Sequence, residues 1–336
     1  MGILESYGLF LLQAITVAGA LAVVGVIIAS QVGRARGRAA SEGSLTVRRL
    51  DRRVRDLGRA LRDASLSPKQ RKTAHKADTK ADNALRDDRE SPRPQHVYVI
   101  DFEGDIGARQ VGALTEEVNA ILSAAVDGDE VFVRLGSPGG VVHGYGLGAS
   151  QLERIRRRGL RLTVAVDKVA ASGGYMMAAV ADHIVAAPFA VIGSIGVVGT
   201  VPNFHRLLER GGIEVEQHTA GRFKRTLSMV GPNDDAARDK FRAELGEIHD
   251  HFQAHLLRFR PAVDVETTAT GEAWLGERAR ELGLVDEIGT SDDWLLARVD
   301  RPLLALCWTP SRSIGERFSF GIESAIDRVA ERLGLR

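Results

Sequence analysis

The sequence predicts an α/β protein, a parallel-sheet domain with helical crossovers preceded by one N-terminal transmembrane helix. Three observations carry this. From Val97 onward, strand-length apolar runs alternate with helical patterns and are separated by Gly and Pro. Those runs are near-continuously apolar and rich in β-branched residues, as in strands covered on both faces. At the other end of the chain, 28 consecutive residues between Glu5 and Arg34 carry no formal charge.

The elements follow in order. After a short tail (1–7), a helix over residues 8–30 is long enough to cross a bilayer core. No Lys or Arg precedes the run, and it exceeds the apolar core of a cleaved signal peptide, so an uncleaved anchor is expected. Residues 31–66 form a basic juxtamembrane segment in which Leu50, Val54, Leu57 and Leu61 recur at helical spacing among arginines. Such a helix suits anionic lipid headgroups, a coiled coil between protomers, or a solvated spacer. Residues 67–95, polar and without apolar periodicity, read as a flexible linker.

The folded region spans 96–300. Its expected strands are Val97–Ile100, Val131–Leu135, Leu162–Val166, Ile184–Ala187, Ile195–Val198 and Ile213–Glu216. Helices are expected over Leu114–Val126, Gly148–Arg158, Ser172–Ala181, Phe204–Arg210 and Asp234–Arg260. Residues Ile184–Phe204 are also uncharged, but Pro188, Gly193, Gly196, Gly199 and Pro202 cut them into strand-length pieces, which argues against a second span. A C-terminal strand and amphipathic helix, with Ile322, Ile326, Val329 and Leu333 on one stripe, complete residues 301–336.

Charge and composition limit the function classes. The formal net charge of +1 is a cancellation: residues 31–96 hold 18 Lys+Arg against 9 Asp+Glu, whereas residues 97–336 hold 27 against 34. The basic excess lacks interleaved aromatics and abuts an apolar span, so a bilayer rather than nucleic acid is the expected partner. The single cysteine, Cys307, excludes an intrachain disulfide and a multi-cysteine metal site. His251 and His255 have a chelating spacing on the long helix but no companion motif, and no metal or cofactor is expected.

Three glycine-marked turns follow strands: Gly136-Ser137-Pro138-Gly139-Gly140, Ala171-Ser172-Gly173-Gly174-Tyr175 and Gly193-Ser194-Ile195-Gly196. Turns at the carboxyl ends of parallel strands are where ligands bind, and a serine opening a helix lies beside N–H groups that can hold an oxyanion. Taken singly, each is more often only a turn. A serine nucleophile needs a base. There is no Gly-x-Ser-x-Gly elbow, and the histidines form no recognisable triad pattern. A desolvated lysine is the alternative. Only Lys168, Lys224 and Lys240 occur after residue 96, and Lys224, in Gly221-Arg222-Phe223-Lys224, is the candidate by elimination.

The ordered set Ser-Pro-Gly-Gly, Ala-Ser-Gly-Gly-Tyr, Gly-Ser-Ile-Gly-Val and Gly-x-Phe-Lys resembles the signal peptide peptidase A family of membrane serine proteases. The anchor, basic segment and single catalytic domain look most like its SohB-type inner-membrane branch. Gly283-Leu284-Val285-Asp286-Glu287-Ile288-Gly289 is also typical of that family and its ClpP/crotonase relatives. The resemblance, over about residues 97–300, implies a ClpP/crotonase-like fold and a Ser–Lys dyad. Ser172 would be the nucleophile and Lys224 the general base. Ser194 would orient the lysine, and the N–H groups of Gly139 and Gly173 would form the oxyanion hole. Where the family often has Tyr before the lysine, this chain has Phe223, which keeps an aromatic wall and drops a phenol hydrogen bond.

The resemblance further implies hydrophobic peptide substrates, such as signal-peptide remnants, and homo-oligomers. Two other classes compete: a catalytically silent scaffold of the same fold that binds membrane partners, and a crotonase-like acyl-CoA enzyme. The last lacks an acidic catalytic pair and has no use for Lys224 or a span. A bacterial inner-membrane, single-pass location follows. The arginines after the span place the domain on the cytoplasmic side by the positive-inside rule, whereas relatives are thought to act on the outer face.

Overall fold

The computed structural model describes residues 43–87, 93–221 and 223–311. The chain divides into two compact units, Thr46–Cys307 and a second that joins Met1–Leu45 to Trp308–Arg336. Of the second, the description covers residues 43–45 and 308–311. The expected span over 8–30 and the C-terminal helix from Ile322 lie outside the described residues. Among the described residues, no helix is long and apolar enough to cross a membrane.

Strand β1 (Ser44–Arg49) leads into α1 (Leu50–Ser65) and α2 (Pro68–Asp87), then β2 (Val97–Glu103), α3 (Val111–Ala124), β3 (Glu130–Gly136), α4 (Val142–Arg157) and β4 (Arg161–Val166). Next come β5 (Val169–Ala171), α5 (Gly173–Ala178), β6 (His183–Ala186), β7 (Val191–Gly193), α6 (His205–Arg210) and α7 (Asp235–Phe259). The unit closes with α8 (Val265–Thr268), β8 (Ala273–Leu275), α9 (Gly276–Glu281), β9 (Glu287–Ile288), α10 (Ser291–Leu296) and β10 (Leu303–Thr309).

A seven-stranded sheet has the order β1-β10-β2-β3-β4-β6-β9, and a three-stranded sheet has the order β5-β7-β8. The central strands are parallel, with Val99 beside Phe132, Phe132 beside Thr163 and Thr163 beside His183. Val97, Val99, Phe132, Val133 and Val164 are fully buried, as continuous apolar runs in a two-sided sheet must be. On one face the Phe132 ring stacks on Trp294 of α10 at 4.2 Å. The parallel sheet with helical crossovers is therefore as expected.

Several local expectations change. Residues 67–95 were expected as a linker, yet most of them are α2. Ala- and Lys-rich sequence favours helix, the Ser67 N–H and hydroxyl both bond the Gln70 side chain at the helix start, and Arg62 of α1 pairs with Asp78 of α2. The amphipathic α1 is docked at its first turn, where half-buried Leu50 packs on the core beside a polar anchor. Buried Asp51 bonds Arg49 and Arg55 and accepts the Leu303 N–H at 3.2 Å, while Leu57 and Leu61 of the apolar stripe stay exposed. Residues 195–198 and 213–216 are irregular rather than strands. Val198, 87% exposed, has no core to face. Strands β1, β5, β7, β8 and β9 were not among those expected, and the last four have only two or three residues, too few to show a period. The uncharged stretch 184–204 consists of short strands and turns, not a span.

Candidate active site

The three glycine turns meet because their strands are parallel and adjacent. β3 delivers Ser137–Gly140, β5 delivers Ser172 and β7 delivers Ser194. Ser137 bridges Ala170 in parallel register, and Ala171 pairs with Gly193. Ser172 and Ser194 are thus matching positions one residue beyond paired strand ends, and the Ser172 N–H donates to the Gly193 carbonyl at 2.8 Å.

Ser172 is half-buried at φ 51°, ψ −120°, outside the allowed regions for an L-residue, and its side chain makes no cap bond to α5. Such a conformation costs on the order of 1–3 kcal/mol, so the surrounding structure must impose it. Ser194 shares the positive φ, at 49°, with its N–H held by the Glu272 carbonyl at 2.6 Å.

The glycines of Ser-Gly-Gly are there for close approach. A Cβ on Gly173 would lie 2.4 Å from Tyr145 Cγ, and one on Gly174 would lie 2.5 Å from the Ser137 carbonyl oxygen. Gly139, at φ +89°, presses against the same spot, since a Cβ there would fall 2.8 Å from both Ser172 Cβ and Gly173 N. As the first residue of α5, Gly173 has an N–H with no intrahelical acceptor, directed at the end of the helix where negative charge is favoured. The Gly139 N–H differs: it donates inward to Ser137 Oγ at 3.1 Å.

Lys224 lies elsewhere in character. It is exposed, in an irregular segment where its N–H closes a turn onto the Gly221 carbonyl at 3.1 Å. The segment is pinned to α7: Lys240 Nζ sits 5.6 Å from the Phe223 ring centroid, and the Thr226 hydroxyl bonds the Glu244 carboxylate at 3.2 Å. Among the described residues, no hydrogen bond or ion pair joins Lys224 to Ser172. The structure brings Gly139, Ser172, Gly173 and Ser194 together and leaves the lysine in solvent.

Comparison with known proteins bears on this geometry. The family model "Peptidase family S49 N-terminal" matches residues 2–152, and "Peptidase family S49" matches residues 154–300. "Probable protease SohB" of Haemophilus influenzae is 44% identical over 342 residues, covering 98% of this chain and 96% of the relative. "Probable protease SohB" of Buchnera aphidicola subsp. Acyrthosiphon pisum is 52% identical over 67% of this chain and 68% of its own. "Protease 4" of Haemophilus influenzae is 28% identical over 60% of this chain and 34% of its own. The chain belongs to peptidase family S49, in its SohB-type branch.

For an S49 peptidase, four further residues lie around the serine helix and the Gly139 turn, and motif reading gave none of them a role at the site. Tyr175, fully buried after Ser-Gly-Gly, donates its hydroxyl to the Leu284 carbonyl at 2.8 Å. Burial pushes its phenol pKa up, so it stays a neutral donor. His255 of α7 sits across from the other end of α5, its Nε2 2.9 Å from the Met176 carbonyl. Burial lowers its pKa, opposed by that hydrogen bond. Ser137 and Tyr145, fully buried, lie beneath the Gly139 turn. A usable signal did exist for the tyrosines: a phenol inside an apolar pattern needs a partner.

Proposed function

We propose that this S49 chain is a membrane-anchored serine endopeptidase that cleaves hydrophobic or membrane-derived peptides, such as signal-peptide remnants, with Ser172 as nucleophile and Lys224 as general base. The observation that carries the reading is Ser172 itself. A half-buried serine is held at a strained positive φ, its hydroxyl is not spent as a helix cap, and the Gly173 amide and the Gly139 turn adjoin it. The paired ends of β5 and β7 and the close-packed glycines impose that strain, and a hydroxyl directed out of a strand-to-helix turn is what a nucleophile requires.

The chemistry follows from the groups. The neutral Lys224 amine accepts the Ser172 Oγ proton as Oγ bonds the scissile carbonyl carbon, and the carbonyl π pair moves onto oxygen. The Gly173 N–H donates to that oxyanion beside the Gly139 turn, whose own Gly139 amide is spent on Ser137 Oγ rather than on the oxyanion as expected, and the Ser194 hydroxyl orients the amine. Collapse of the intermediate breaks the C–N bond, and the lysine returns the proton to the leaving amine. Water then repeats the sequence on the acyl ester, with Lys224 again as base.

A lysine serves as base only when desolvation lowers its pKa. Lys224 is exposed within a stretch whose Phe204, Leu207, Ile213 and Val215 side chains are also exposed. A second copy of the chain covering this stretch supplies the dry environment, so the working form is a homo-oligomer. The full-length chain in detergent should cleave a hydrophobic fluorogenic peptide. Ser172→Ala, Lys224→Ala and Lys224→Arg should each abolish cleavage, the last because a guanidinium stays protonated. Equal cleavage by wild type and all three variants would sink the dyad.

A further inference from the structure

Beneath the Gly139 turn runs a chain of three hydrogen bonds whose direction is fixed by chemistry. The Asp105 carbonyl can only accept, so Tyr145 gives it the single phenol proton, at 2.7 Å. Tyr145 Oη therefore accepts from Ser137 Oγ at 2.6 Å. With its one proton so committed, Ser137 Oγ is left as the acceptor of the Gly139 N–H at 3.1 Å. Ser137 and Tyr145 are both fully buried. The Gly104 backbone packs closely on both hydroxyls, since a Cβ there would lie 2.4 Å from Ser137 Oγ and 2.5 Å from Tyr145 Oη.

Tyr145 also reaches the other side of the site, for its ring is the surface against which Gly173 packs. One side chain thus touches both the turn and the helix start that flank Ser172. A serine satisfied only for the sake of the core needs a single partner. Here both of its hydrogen-bonding roles are assigned, and the last link is an amide of the turn itself.

We infer that Ser137 and Tyr145 are positioning residues, which set the orientation of the Ser137–Gly140 turn against Ser172 through this one-directional chain. The inference rests on the peptidase reading. Neither residue touches the reacting atoms; they act through the turn, and an error of about 1 Å in such a group can cost on the order of 100-fold in rate.

The test uses the full-length chain and two variants, Tyr145→Phe and Ser137→Ala. Tyr145→Phe keeps the ring against Gly173 and removes only the hydroxyl. Peptide cleavage is measured beside binding of a hydrophobic peptide aldehyde. The aldehyde carbon bonds Ser172 Oγ, its oxygen takes the π pair, and the serine proton passes to the base, so its affinity reports on the oxyanion site. Binding of a non-cleavable peptide reports on the ground state.

Both variants should lower kcat by about 10- to 100-fold and weaken aldehyde binding by a similar factor, with KM and non-cleavable peptide affinity within about threefold of wild type. A merely structural role would lower thermal stability without this split. Wild-type kcat and aldehyde affinity in Tyr145→Phe would overturn the inference, as would a kcat loss with unchanged aldehyde affinity. Should Ser137→Ala fail to fold, Tyr145→Phe alone decides. If wild type shows no cleavage that Ser172→Ala removes, the peptidase reading itself has failed, and the inference falls with it. Cleavage that depends on Ser172 but is indifferent to Tyr145→Phe sinks the inference alone.

Discussion

The Tyr175 hydroxyl donates to the Leu284 carbonyl at 2.8 Å, tying the first turn of the serine helix to a segment 109 residues later in the chain. That segment is itself clamped. The Arg260 guanidinium grips the Asp286 carboxylate and the Gly283 carbonyl, and Asp286 accepts the Ile184 N–H. Burial alone would raise the Asp286 pKa, but Arg260 and the Ile184 amide hold it below the usual carboxylate range. The Ser-Gly-Gly-Tyr and Gly-Leu-Val-Asp motifs are thus two sides of one contact.

Tyr175→Phe keeps the ring and strands the buried Leu284 carbonyl. The expected cost is about 1–2 kcal/mol of stability, read as a lower urea midpoint at unchanged m value. An unchanged midpoint would mean that the bond contributes nothing net.

The strain at Ser172 predicts an opposite result. Glycine accepts φ 51°, ψ −120° freely, whereas alanine does not. Ser172→Gly should therefore be more stable than Ser172→Ala by roughly 1 kcal/mol, with neither variant cleaving peptide. Equal denaturation midpoints would remove the case for a strained nucleophile.

If a neighbouring copy contributes Lys224, two inactive variants should rescue each other. Co-expressed Ser172→Ala and Lys224→Ala chains, mixed at random, would regain activity at up to about a quarter of the sites. If the pair forms within one chain, no mixture recovers.

His255 predicts a pH dependence. Its folded pKa lies below the ordinary 6.5 because burial disfavours the charged ring. The unfolded chain therefore binds the proton more readily, and the stability that neutral His255 supports is complete above about 6.5 and is lost as pH falls toward the lower folded value. His255→Gln should flatten this part of the pH–stability curve. A slope unchanged in the variant would assign it to other groups.

Much of the fold was legible because its signals are local and repeated. The buried strands around Val99, Phe132 and Val164 announce themselves by apolar runs, and the turns between them by Gly and Pro. Motif order picked out Ser172, Gly173 and Ser194, which the structure brings together, and Lys224, which it leaves exposed. The α2 helix was not, because the low hydrophobicity that suggests a linker equally suits a solvated helix, and the Arg62–Asp78 pair that joins it to α1 has no sequence signature. Ser137, Tyr145 and His255 escaped for a related reason. Each acts through a partner that is a backbone carbonyl or amide, and every residue carries one of those.

By itself, the sequence determined the parallel α/β class, the separation of a basic segment from an acidic domain, and the order of the serine, glycine and lysine motifs. Periodicity, charge and spacing are written along the chain. Only the tertiary structure decided that the Gly139 amide faces Ser137, that Ser172 is strained, that Tyr145 joins both flanks of the serine and that Lys224 stands in solvent. Those facts depend on which strands lie side by side and on which hydrogen-bonding groups are thereby buried together, and no single segment of the chain records either.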